Sequence, residues 1–252
     1  MTADRPAGAD NHAEIPRARA LDLDVDPPPD DLPYAAYEDH RYREICRRNG
    51  IAETPEALTR ALRLDELTLR AAAAHTIGSL GMVAALPALE EAVAVSDDLV
   101  AAEVGYALAR LGATSGRPVL ESCLALPMNA YVAPPLAAGY LARLGDFRGA
   151  PIIERGLASD NSTVRMIAAK QLAFFVPFDG ERLADGSVAD VWGWFRLALA
   201  DPLPDIQWQA VVELSHVSGS VADELLAGYA ESGPDPAARA RAVRALRARS
   251  AS

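Results

Sequence analysis

The chain has 252 residues, half of them apolar and only 6% aromatic, and 51 are alanine. A chain of this length buries roughly 70–75% of its unfolded surface, and an excess of alanine and leucine favours close-packed helices over sheets, which draw on Val, Ile, Thr and aromatics. The formal charge of −11, from 35 acids against 24 bases, opposes sequence-independent nucleic-acid binding and adsorption to anionic membranes.

Residues 1–33 hold six prolines, eight acids and three arginines. Low hydrophobicity with proline and charge predicts a disordered acidic tail over 1–31. The alternating Asp22, Asp24 and Asp26 do not form a calcium loop, because Pro27 and Pro33 stand where that loop needs Gly and Glu. The start MTADRPAGAD lacks the order of a signal peptide, and no stretch reaches 18 apolar residues. A cytoplasmic location is the expectation.

Residues 32–50 read as an N-terminal capping helix. Asp31 suits its cap, Pro33 its first turn and Gly50 its end, with Tyr34, Tyr37, Tyr42 and Ile45 on one side. Such a helix caps the first repeat of an array or, alternatively, lies in a groove and takes part in binding.

From residue 54 to 250 the chain repeats itself. LRAAAAHTIGSLG (69–81), VAAEVGYALARLG (100–112) and APPLAAGYLARLG (133–145) align on Gly81, Gly112 and Gly145. Pro87, Pro118 and Pro151 follow with the same spacings. Weaker copies are VRMIAAKQLAFF (164–175), IQWQAVVELSHV (206–217) and ARARAVRALRAR (238–249), with small apolar residues recurring as one helical stripe. A second helical pattern precedes each copy, at 54–64, 84–94, 115–125, 147–158, 188–200 and 221–230. Pro134 and Pro135 require the third copy's helix to begin beside them.

These copies resemble the HEAT repeat, in the bacterial variety called phycobiliprotein-lyase HEAT-like. Arg70, Ala73, Ala74, Gly78, Leu80 and Gly81 match its second-helix pattern, and Arg165, Ala168, Ala169 and Leu172 match it again. The resemblance implies an all-α, right-handed α-solenoid of about six helix pairs, in which second helices line the concave face. It does not transmit the lyase chemistry.

On that face the positions outside the small-residue stripe point outward. They are His75, Ser79, Glu103, Tyr106, Arg110, Tyr140, Arg143, Lys170, Gln171, Phe174, Trp208, Gln209, Glu213 and His216. Aromatics and hydrogen-bonding groups suit recognition. Lys170 is the only lysine, and His75 and His216 are the first candidates for proton transfer. The arginine-rich last helix offers phosphate or the acidic tail a partner.

No nucleotide cradle, esterase elbow or HExxH motif occurs, and Cys46 and Cys123 form no CxxC pair. No metal site and no cofactor are expected, and nucleic acid is disfavoured as a partner. Two readings remain: a non-catalytic scaffold or adaptor that engages a protein or peptide, and a small-molecule lyase, dehydratase or cyclase. In the second, His75, Tyr106, Tyr140, Lys170, Glu213 and His216 would position a substrate and move protons. A deep pocket closed by the N-terminal helix favours the enzyme, and an open shallow face favours the adaptor.

Overall fold

In the computed structural model, residues 34–95, 97–128 and 132–250 are described. The expected tail, the capping role of Asp31 and Asn129–Tyr131 lie outside them. Helix α1 spans Tyr34–Arg48. Six helix pairs follow: α2 (Pro55–Ala61) with α3 (Leu67–Ser79), α4 (Leu86–Val95) with α5 (Asp98–Arg110), and α6 (Gly116–Leu124) with α7 (Ala133–Arg143). Then come α8 (Ala150–Leu157) with α9 (Ser162–Ala169) and its continuation α10 (Leu172–Phe175), α11 (Val191–Leu199) with α12 (Pro204–Ser215), and α13 (Ser220–Ser232) with α14 (Pro236–Ser250). Among the described residues there is no strand, only one isolated bridge between Arg182 and Val188.

The second helices α3, α5, α7, α9, α12 and α14 pack in that order. Each also packs on its own first helix. Neither helix of a pair can bury its apolar face alone, so stacking builds a core, here in three clusters along the array. Its buried side chains include Leu58, Ile77, Leu108, Leu120, Leu141, Ile153, Leu172 and Phe195. The chain is an all-helical α-solenoid.

The glycine register has a backbone cause. Gly81, Gly112 and Gly145 adopt φ of 65°, 79° and 80°, left-handed values that a side chain disfavours. Each closes its helix with the same two bonds, as where Gly81 N–H donates to Gly78 O and Met82 N–H to Ile77 O. Pro87, Pro118 and Pro151 then fall in the first turns of α4, α6 and α8. There a missing N–H costs nothing, since it has no helical acceptor. Gly50, with φ 76°, ends α1 in the same way. Thr54 caps α2 by accepting from Ala57 N–H, and α7 begins at Ala133, next to its prolines.

The fourth second helix departs from the pattern. It breaks at Lys170–Gln171, between α9 and α10. Gln171 N–H bonds Ala168 O, and the Gln171 side-chain amide donates to Ile167 O at 3.3 Å. The carbonyl left by the break is thus satisfied locally. The same side chain lies over Gly139 of α7, where an added Cβ would sit 1.9 Å from Gln171 Oε1. The long connector before α11 stays outside the core, apart from Leu183 and Ala189. Of the two tryptophans in α11, Trp194 is core and Trp192 is half-buried against Phe195.

Candidate functional site

Helix α1 does more than cap the array. Ile45 and Cys46 are buried against α3, with Cys46 Sγ 3.8 Å from Thr76 Oγ1. The first half of the helix then runs across the second-helix face. Tyr42 reaches Glu103 of α5, and Tyr37 lies against His216 at the end of α12, with ring centroids 5.6 Å apart. On a flat face α5 and α12 would stand about 24–30 Å apart, at 8–10 Å per neighbouring helix. Five helical residues advance only about 7.5 Å. One short helix touches both because the face is concave.

The contacts form a charged array. Arg143 Nη1 donates to Glu38 Oε2 at 2.6 Å. Arg110 grips Asp39 with both terminal nitrogens, at 2.8 and 3.2 Å, the two-pronged geometry that guanidinium gives a carboxylate. His75 Nε2 lies 2.8 Å from Asp39 Oδ1, and His75 Nδ1 lies 3.0 Å from Glu103 Oε2. The Tyr42 hydroxyl donates to Glu103 Oε1 at 2.6 Å, and its ring stacks on His75 with centroids 4.2 Å apart. Three carboxylates thus face three cations inside the protein, where an unmatched charge would be costly.

Burial alone would depress the His75 pKa, but the bonds to Asp39 and Glu103 outweigh it and raise the value. Burial would raise that of Asp39, but His75 and Arg110 hold it down at about 2. Desolvation and Glu103 push Tyr42 and Tyr140 well above the ordinary phenol range. Burial pushes Lys170 down to about 8, helped by nearby Arg41.

Around this array Tyr106 and Tyr140 stack in parallel, with centroids 4.1 Å apart. The Arg143 guanidinium lies 4.7 Å from the Tyr106 ring, 4.7 Å from Phe174 and 5.9 Å from Tyr140. In the repeat register Ser79, Arg110, Arg143, Phe174 and His216 are equivalent positions. Two successive rungs therefore present a guanidinium, and the third presents a ring on which the second guanidinium rests.

The structure brings several of the predicted residues together but encloses them. His75, Glu103, Tyr106, Tyr140, Gln171 and Glu213 are buried rather than outward-facing. The cause is α1, together with the close stacking of the second helices. Gln171 turns toward Gly139. Gln209 donates to Glu213 at 2.6 Å, and Trp208 lies under Arg241, 5.8 Å from ring to guanidinium carbon. Glu38, Asp39 and Tyr42 are the partners that repeat analysis overlooks, since they lie outside the repeats. The capping-helix pattern already names Tyr42, and the adjacent acids of the YEDHRY stretch are the sequence signal for Glu38 and Asp39.

Two surface pockets lie away from this array. One is lined by Leu62, Arg63, Arg70 and Glu91, and the other by Arg196, Leu225, Tyr229 and Pro234. Among the described residues no group of three or more His, Cys, Asp or Glu has a metal-binding arrangement. None of their helices is long and apolar enough to cross a membrane.

No protein-family model and no curated protein matches the sequence. Among solved structures, a chain from the complex of CpcE and CpcF of phycocyanin lyase from Nostoc sp. PCC7120 is similar at 17% identity and a TM-score of 0.46, over 96% of this chain and 99% of that one. Human deoxyhypusine hydroxylase in complex with glycerol is similar at 14% identity and a TM-score of 0.36, over 89% and 93%. An engineered protein is similar at 19% identity and a TM-score of 0.32, over 85% of each chain. Six stacked helix pairs, with one glycine and proline register recurring through the junctions of the first four, make this chain an all-helical repeat solenoid.

Proposed function

We propose that the chain is a non-catalytic protein-binding scaffold whose concave face receives an amphipathic helix. The seat of α1 is the observation that carries this reading. A face that holds one helix through Glu38–Arg143, Asp39–Arg110 and Tyr42–Glu103 has the chemistry of helix-in-groove recognition. The helix lies in the groove here, in contact with α3, α5, α7 and α12. His75, the best-placed proton carrier, has a fully enclosed side chain, whereas a general base must reach its substrate.

The small-molecule enzyme is the second reading. Two observations favour it: the tight curvature, and a half-buried Lys170 whose ammonium is depressed toward neutrality. It requires α1 to withdraw and leave a pocket.

A labelled synthetic peptide with the sequence of residues 34–48 tests the scaffold. It is titrated by fluorescence anisotropy into the full chain carrying Glu38→Gln and Asp39→Asn, which weakens the helix in cis. Saturable binding that disappears on adding Arg143→Ala supports the reading. No binding up to about 1 mM, where an interaction is worth only ~4 kcal/mol, overturns it.

A further inference from the structure

The two halves of α1 are held differently. The second half is anchored on α3 by apolar burial of Ile45 and Cys46. The first half reaches α5, α7 and α12 through Tyr37, Glu38, Asp39 and Tyr42, by ions, hydroxyl and ring. Without that first half, Glu103 is the carboxylate left bonded to the Arg110, Arg143 and His75 cluster among the described residues, with Glu213 lying farther along beside Lys170. The Arg143 guanidinium sits among Tyr106, Tyr140 and Phe174, and so cannot swing out to water as a surface arginine does. An occupant must therefore bring two carboxylates.

Their spacing is set by the rungs. Neighbouring residues on a helix diverge by about 100°, so adjacent acids reach adjacent second helices, as Glu38 reaches α7 and Asp39 reaches α5 and α3. A residue three positions after the second acid returns to its side of the helix. There it meets Glu103, an acceptor that calls for a donor, and the flat face of His75, which calls for a ring. Tyrosine supplies both.

We infer that the partner of this face is a protein helix carrying the pattern acid–acid–x–x–Tyr, and that it binds by replacing residues 36–42 of α1. The inference rests on the scaffold reading and specifies its partner. Residues 36–42 are then a stand-in for the partner, held at high local concentration by their own chain. The anchored half of α1 stays in place during the exchange.

Four peptides test the pattern against the chain carrying Glu38→Gln and Asp39→Asn: the parent 34–48 sequence, and versions in which Glu38 is Gln, Asp39 is Asn, or Tyr42 is Phe. Each single change is expected to weaken binding by roughly tenfold or more, the usual cost of unpairing a buried charge or acceptor. Arg143→Met in the chain should abolish the effect of the Glu38 change while preserving that of the Asp39 change. Equal binding by all four peptides overturns the pattern and leaves the scaffold standing. No binding by any of them overturns both. If the doubly substituted chain does not fold, hydrogen exchange on the unaltered chain decides. Excess parent peptide should speed exchange of amides 36–42 and leave 45–48 protected, and unchanged exchange in 36–42 overturns the replacement.

Discussion

His75 and Asp39, 36 residues apart, meet at 2.8 Å, and the opposite ring nitrogen of His75 meets Glu103 at 3.0 Å. One imidazole therefore ties α1 to both α3 and α5.

This clamp gives stability two pH limits. The folded His75 pKa lies above its ordinary 6.5, so the stabilisation is complete below 6.5 and is lost as pH rises through the raised value. Asp39 lies at about 2, below its ordinary 3.8, so its contribution is present above 3.8 and is lost as pH falls toward 2. Urea midpoints measured from pH 3 to 9 should peak between about 4 and 6.5 on these grounds. In His75→Gln the fall on the alkaline side should flatten, and an unchanged alkaline limb would count against the clamp.

Arg143→Ala should be among the most damaging single changes. It strands Glu38 and empties the space between Tyr106 and Phe174. Breaking a buried pair from one side costs about 3–5 kcal/mol. Combining it with Glu38→Gln should cost less than the sum, because the stranded charge is gone. Chemical denaturation of the two single variants and the double variant measures the coupling, and strict additivity would refute it.

Gly139→Ala tests the helix break. The new methyl would meet Gln171 Oε1 at 1.9 Å, and overpacking of this kind costs about 1–3 kcal/mol. Adding Gln171→Ala should recover part of the loss in melting temperature, although it also removes the bond to Ile167 O.

Cys46 and Cys123 are buried free thiols, and burial pushes both up to about 11. Thiolate is the reactive form. Neither should react with a disulfide reagent at pH 8 within the time that unfolded chain reacts fully. Glu38→Gln with Asp39→Asn should leave Cys46 protected, since its half of α1 is held by apolar contact with α3. Rapid labelling of Cys46 in that variant would show that the helix leaves as one piece.

The repeats were legible because a solenoid is built from local rules. Gly81, Gly112 and Gly145 mark left-handed caps, Pro87, Pro118 and Pro151 mark first turns, and both signals act within one helix end. The break at Lys170–Gln171 was not legible, because it depends on a glycine 32 residues away in α7. Nor was the burial of His75 and Glu103. Each reads as outward on its own helix, and only the packing of α1 across the neighbouring pairs encloses them. The acids at 38 and 39 carry no periodicity that would announce their partners.

The column Ser79, Arg110, Arg143, Phe174, His216 also has a sense of direction. Guanidiniums occupy its middle, a histidine that receives Tyr37 stands at one end, and Glu103 waits for a hydroxyl nearer the other. A helix of identical composition laid in backwards would bring its carboxylates toward Glu103 and away from Arg143. Under the scaffold reading the order of residues along an occupant therefore matters, and a reversed sequence with the same charge and the same rings should bind more weakly.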